Sequence, residues 1–182
     1  MYRLIDFVAA LLGLIFAFPL FLVVLIIGYF DTGSPLFFQE RVGKNKKPFT
    51  LVKFRTMSVD TKSVASHLAS SASITKLGAF LRKTKLDELP QLWNVFMGDM
   101  SLVGPRPNLF NQEELIEARD SKNVYSVRPG ITGLAQIQNI DMSTPDKLAR
   151  TDAIMIKKMS LKSYFSFILK TVTGAGSGDA VK

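Results

Sequence analysis

The sequence predicts a helix-dominated α+β domain lying on a membrane, and three observations carry that prediction. From Phe7 to Phe30 no charged residue occurs in twenty-four positions. Beyond that run, segments of helical periodicity alternate with two short stretches of strand formers. The net charge of +8 is concentrated just after the apolar run, where Arg41, Lys44, Lys46, Lys47, Lys53 and Arg55 are opposed locally only by Glu40.

The first element is a kinked helix over residues 2–30. At about 1.5 Å per residue its apolar run is long enough for a hydrocarbon core of roughly 30 Å. Pro19 falls at its middle, where a proline deletes a helical hydrogen bond and clashes with the preceding turn. Each arm then reaches only about 18 Å, enough for one leaflet. Arg3 precedes the run and the basic cluster follows it, so neither flank is marked for translocation. Prolines also occur in spanning helices, so on these residues alone both a span and a re-entrant hairpin stay open. A cleaved leader fits poorly, because the run is long, Asp6 adjoins it and no small-x-small site follows.

Extended segments are expected near Leu36–Gln39 and Phe49–Met57, followed by a Ser/Ala/Thr-rich loop with a short helix over residues 58–74. Helices are expected near Lys76–Arg82, Asp87–Met97, Asn111–Ser121, Asp146–Lys158 and Leu161–Thr171. In the last of these, Leu161, Phe165, Ile168, Leu169 and Val172 form a stripe bordered by Lys157, Lys158, Lys162 and Lys170. That stripe suits either an anionic membrane interface or the protein's own core. The organisation is therefore a membrane helix over 1–30, a domain over 31–172 ending in an interfacial helix at 160–172, and a flexible tail over 173–182.

There are no cysteines, which excludes disulfides and thiolate-bound zinc. His67, the single histidine, lies in the Ser/Ala-rich stretch and reads as a surface or packing residue. The basic cluster implies anionic partners, yet it follows the inserted segment, lacks a nucleic-acid motif and offers few base-stacking aromatics. Lipid headgroups and a nucleotide account for it with fewer assumptions.

Asp87-Glu88 is the most informative pair. Neighbours on a helix point about 100° apart, so the two carboxylates suit different tasks. Thr84 and Pro90 place them in the first turn of a helix, where free N–H groups welcome a carboxylate cap and equally a phosphate. Arg106 stands between Pro105 and Pro107, a backbone restricted on both sides that presents a guanidinium at low ordering cost. Arg128, before Pro129-Gly130, repeats the device, and Gly130 and Gly133 permit tight turns or close approach of the backbone to a ligand. Asp99 reads as the cap of the Asp99-Met100-Ser101 turn.

The runs Lys53-Phe54-Arg55-Thr56-Met57, Asp87-Glu88-Leu89-Pro90-Gln91-Leu92-Trp93-Asn94, Gly98 through Pro107, and Arg128-Pro129-Gly130-Ile131-Thr132-Gly133 occur in that order. Together they resemble the bacterial sugar transferase family, the monotopic phosphoglycosyl transferases, over roughly residues 1–172. The resemblance implies a re-entrant membrane helix kinked at Pro19, inserted in one leaflet of the bacterial inner membrane at its cytoplasmic face. Where the family has a Ser-Pro pair this chain has Phe18-Pro19, which removes the serine's part in the kink. Arg3 and Asp6 match the family's polar anchor at the helix start.

The same resemblance implies transfer of a phosphosugar from a UDP-sugar to undecaprenyl phosphate, with UMP released, as the first membrane step of glycoconjugate synthesis. Asp87 would be the nucleophile that forms a phosphoaspartyl intermediate, and Glu88 would assist the second step as a base or a metal neighbour. Mg²⁺ would sit near Asp87, with Glu88 as a second candidate ligand. Arg106 would hold phosphate, and Lys53, Arg55, Arg128 and, more weakly, Gln136 and Asp99 would contact substrate. Two other classes remain: a non-catalytic membrane adaptor, and a polyprenyl-dependent glycosyltransferase that releases UDP.

Overall fold

The computed structural model describes residues 2–61 and 73–174. Residues 62–72 of the loop and short helix expected over 58–74, with His67 among them, and the tail beyond Gly174 lie outside the described residues. Helices dominate, accompanied by short strands. Contacts divide the chain into two units, Met1–Gln39 with Thr50–Met97, and Glu40–Phe49 with Gly98–Ser177.

The first unit is built on α1, Tyr2–Thr32, which continues as helix through Pro19. It is long and apolar enough to cross a membrane, and most of its large side chains are exposed. One flank of α1 is covered along its length. Asp6, Ala10, Val24 and Gly28 are buried there, and a Cβ on Gly13 would come within 3.0 Å of Leu92. β1 (Leu36–Val42) and β2 (Pro48–Phe54) follow as a two-stranded sheet. The expected extended segments thus exist, but the first runs on to Val42 and the second starts at Pro48 and ends at Phe54, short of Met57; the turn between them holds Asn45 and Lys46 at positive φ. Val24, Phe54 and Leu81 form the core here, with Phe21, Leu25, Leu77, Leu86 and Leu89 packed against it.

α2, Lys76–Thr84, starts where Thr75 accepts a hydrogen bond from the Gly78 N–H at 2.9 Å. Gly78 is required by contact: a Cβ there would lie 2.0 Å from the Thr56 carbonyl oxygen. The helix expected over Asp87–Met97 is corrected by the structure. Leu86–Glu88 is a 3₁₀ turn entered through Lys85 in the left-handed conformation, and α3 begins only at Gln91, after Pro90. Thr84 does not cap that helix, because it ends α2 and its hydroxyl donates back to the Phe80 and Leu81 carbonyls. The physical reason is Lys85, whose φ of 58° closes α2 and turns the chain before a new helix can start.

α3, Gln91–Met97, is held at both faces. Asn94 pairs with β2, while Arg3 of α1 donates to the Val95 and Phe96 carbonyls at 2.5 and 2.6 Å. A guanidinium there satisfies carbonyls that a helix end leaves open and complements its dipole. Phe96 stacks between Phe7 and Trp93, at 5.0 and 5.8 Å between ring centres.

In the second unit β3 (Ser101–Val103) and β4 (Gly130–Thr132) pair in parallel, Ser101 opposite Gly130 and Val103 opposite Thr132. Three residues are too few for a period-two signal, so neither strand was expected. α4 (Glu113–Asp120), α5 (Leu134–Ile137) and α6 (Pro145–Lys157) share a core of Leu115, Ala135 and Leu148. α7, Leu161–Val172, opens with a capping box between Ser160 and Ser163. It buries Tyr164 and pairs Thr171 with Thr132 at 2.5 Å, leaving Leu161, Phe165, Leu169 and Val172 exposed.

Candidate active site

Asp87 and Glu88 share the 3₁₀ turn between α2 and α3, with Leu86 and Leu89 on either side turned into the core. Those leucines fix the turn, so the carboxylates occupy a rigid connection instead of a helix's first turn. Asp87 is only 2% exposed, whereas Glu88 is half-buried. Neighbouring positions thus have different access. Among the described residues no three of His, Cys, Asp and Glu gather as a metal centre. Two adjacent carboxylates nevertheless fit Mg²⁺, which binds through one or two carboxylates together with substrate phosphates.

Lys53 and Arg55 are in this same unit. Lys53 is on β2 and Arg55 is the first residue after it, and both charged groups lie over the Phe37 ring, at 5.5 and 5.4 Å from its centre. Lys53 is buried. Arg55 donates to the Ser34 carbonyl at 2.8 Å and the Leu36 carbonyl at 3.3 Å, bracing the turn that follows α1. The basic cluster read from the sequence is not one surface, since Arg41 and Lys53 are both buried and Lys46 pairs with Asp120 at 2.9 Å.

Arg106, Arg128 and Gln136 belong to the second unit. The stretch Pro105 to Asn108 is irregular and forms no ladder of its own, yet each carbonyl in it is taken. Pro105 accepts from the Gly130 N–H at 2.9 Å and Asn108 from the Val42 N–H at 2.9 Å. The Arg106 carbonyl accepts from Arg119 Nη1 at 2.9 Å, and that of Pro107 from Arg41 Nη1 at 3.0 Å. Pro105, Pro107 and Asn108 are buried while Arg106 is half-exposed, so the loop is anchored by its backbone and presents one guanidinium.

Arg119 is itself 1% exposed and grips Asp152 Oδ2 through Nε and Nη2 at 3.1 and 2.7 Å. Burial raises the Asp152 carboxyl above the ordinary range, against the opposing pull of Arg119. Asn108 Oδ1 accepts from Arg119 at 2.8 Å and from the Tyr125 hydroxyl at 3.0 Å. Burial is also the main cause that raises the Tyr125 phenol, which keeps its proton on the donating oxygen. Sequence reasoning missed this network. The signal available was two opposite charges, Arg119 and Asp152, each four residues after a core leucine, Leu115 and Leu148.

Arg128 donates through Nε to the Gly98 carbonyl at 2.6 Å. Gly130 answers a steric need, because a Cβ there would fall 2.0 Å from the Gly104 nitrogen. The close approach anticipated at Gly130 is therefore to the protein's own backbone. Gln136 has both side-chain polar atoms buried with no hydrogen-bond partner, a costly arrangement.

The family model described as bacterial sugar transferase matches residues 1–177. A UDP-glucose:undecaprenyl-phosphate glucose-1-phosphate transferase of Caulobacter vibrioides is 39% identical over 180 residues, covering 93% of this chain and 67% of that protein. A UDP-galactose-lipid carrier transferase of Erwinia amylovora is 34% identical over 93% of this chain and 39% of its own length. An undecaprenyl-phosphate galactose phosphotransferase of Salmonella typhimurium is 34% identical over the same shares, 93% and 39%. The chain spans about two-fifths of the length of several of these curated relatives. Matched from its apolar first helix through its last described one, the chain belongs to the bacterial sugar transferase family.

Proposed function

We propose that this chain is a phosphoglycosyl transferase that moves a phosphosugar from a UDP-sugar to undecaprenyl phosphate, giving undecaprenyl-diphosphosugar and UMP. The observation that carries the reading is the family match over residues 1–177, joined to relatives named for UDP-sugar and undecaprenyl-phosphate chemistry. In this reading an Asp87 carboxylate oxygen attacks the phosphorus that bears the sugar. The bond from that phosphorus to the bridging oxygen breaks, UMP leaves with the electron pair, and a phosphoaspartyl sugar remains. A phosphate oxygen of the polyprenyl acceptor then attacks the same phosphorus, and Asp87 departs as a carboxylate. Glu88 assists that second step as a base or a metal neighbour. Asp87 and Glu88 would be the residues to hold Mg²⁺, which would supply neutralisation of diphosphate charge to the departure of UMP.

Arg106 holds a phosphate and steadies charge in transfer, on a loop whose geometry costs nothing to organise at the moment of reaction. Arg128 and Gln136 serve the nucleotide or sugar, and the unpaired buried amide of Gln136 supports its part. Lys53 contributes positive potential near the carboxylates' own unit, whereas Arg55 acts through the turn at Ser34.

We also propose that α1 enters one leaflet of the inner membrane from the cytoplasmic face and returns. Supporting this is the covered flank of α1, where Leu92, Phe54, Leu81 and Pro35 pack between Gly13 and Gly28. A full crossing would draw those elements, with Lys83 and Lys85 attached, into hydrocarbon at high cost. The exposed stripe of α7, in the second unit, suits an interface with anionic lipid as its neighbour.

The test is product release with UDP-sugars, Mg²⁺ and undecaprenyl phosphate. Wild type should release UMP, and on mixing with donor alone should give a burst and a sugar-phosphate adduct on the peptide containing Asp87. Asp87→Asn should abolish both, while Glu88→Gln should spare the burst more than turnover. Full activity in Asp87→Asn, or UDP as the product, would overturn the reading.

A further inference from the structure

We infer that Arg119, clamped by Asp152, and Arg41 are positioning residues for Arg106, setting where its guanidinium meets phosphate. This rests on the role proposed for Arg106. The stretch from Pro105 to Asn108 has two prolines without N–H groups and lies outside regular structure, so it cannot hold itself by a backbone ladder. Its carbonyls are instead gathered by four donors from three separated places, Gly130, Arg119 and the adjacent pair Arg41 and Val42. Two of those donors are buried guanidiniums. Removing either one would strand the buried acceptors it serves: the Pro107 carbonyl for Arg41, and the Arg106 carbonyl and Asp152 for Arg119.

Arg119 alone ties three things together. Nη1 donates both to the Arg106 carbonyl and to Asn108 Oδ1, at 2.9 and 2.8 Å, while Nε and Nη2 hold Asp152. The planar fork fixes the angle between these contacts, so α6, through Asp152, determines the place of the Arg106 backbone. A lysine has one nitrogen and cannot span that set. Pro105 and Pro107 then restrict the remaining torsions, so a displacement of the carbonyl carries directly into the side chain's direction.

Arg119→Lys should lower kcat/KM for UMP release by on the order of 100-fold, the scale of a displacement of about 1 Å in an active site. The decisive readout is coupling. In an Arg106→Ala background, Arg119→Lys should bring no further loss, because the group it positions is gone. A role in folding alone would lower activity by the same factor in both backgrounds, which would overturn the inference, as would wild-type turnover in a folded Arg119→Lys. Should that variant fail to fold, Arg41→Met, which removes the donor to the Pro107 carbonyl, is carried through the same cycle with the same expectation. Failure of the parent reading looks different: Arg106→Ala itself would then retain full turnover.

Discussion

Asn94 completes the free edge of β2 at Val52: its Oδ1 accepts from the Val52 N–H at 3.0 Å while its Nδ2 donates to the Thr50 carbonyl at 2.7 Å. A side-chain amide thereby takes the place of a neighbouring strand, and it docks α3, the helix directly after Asp87-Glu88, on the sheet. Asn94→Ala removes both of these part-buried hydrogen bonds, and should cost about 1–2 kcal/mol in denaturant unfolding of the detergent-solubilised chain. An unchanged midpoint would show that this pairing does not hold α3.

The membrane geometry can be read without added probes at one place. Trp93 is the single tryptophan; it is 51% exposed beside Met97, and stacks on Phe96, which stacks on Phe7 of α1. In vesicles its fluorescence should be quenched by lipids brominated near the headgroup more than by those brominated deep in the chain. Because the chain has no native cysteine, Leu4→Cys and Asp31→Cys report the two ends of α1 separately. An impermeant maleimide applied outside intact spheroplasts should label neither, and labelling of one end alone would establish a span.

Gly130→Ala tests the parallel β3/β4 contact. The added methyl would meet Gly104 N and Cα at 2.0 and 2.5 Å, and backbone cannot yield as a flexible side chain does. The expected result is loss of more than about 3 kcal/mol or failure to accumulate folded protein, an overpacking effect at the severe end. Normal stability would mean that the two strands separate more easily than their geometry implies.

Tyr125 supplies a pH test. Its phenol is raised by burial, so the folded chain keeps that proton to higher pH than the unfolded chain does. The stabilising contribution is therefore fully present below the unfolded value near 10 and is lost as pH rises through it toward the folded value. Tyr125→Phe should be less stable than wild type at pH 8 by about 1 kcal/mol, the hydrogen bond to Asn108. That gap should narrow as pH climbs past 10, and a gap that stays constant would contradict the direction of the shift.

Much of the fold was legible because it depends on local pattern. α2, α4, α6 and α7 fall within a few residues of their expected bounds, since amphipathic spacing is a property of the sequence. The start of α3 was misread because Thr84 and Pro90 satisfy the rules for a helix opening, while Lys85 in the left-handed conformation gives no such signal in composition. β3 and β4 were invisible because their pairing is between residues about thirty apart and only three long.

The sequence by itself determined the long apolar first helix, the family and the motif residues Asp87, Glu88, Arg106 and Arg128, because these are set by residue identity and spacing along one chain. Only the tertiary structure decided what holds them: Arg3 on the end of α3, Asn94 on β2, and Arg119 with Asp152 behind Arg106. Those relationships join residues that are far apart in the chain, through hydrogen bonds whose partners are fixed by packing, and no local pattern records which carbonyl a buried guanidinium will find.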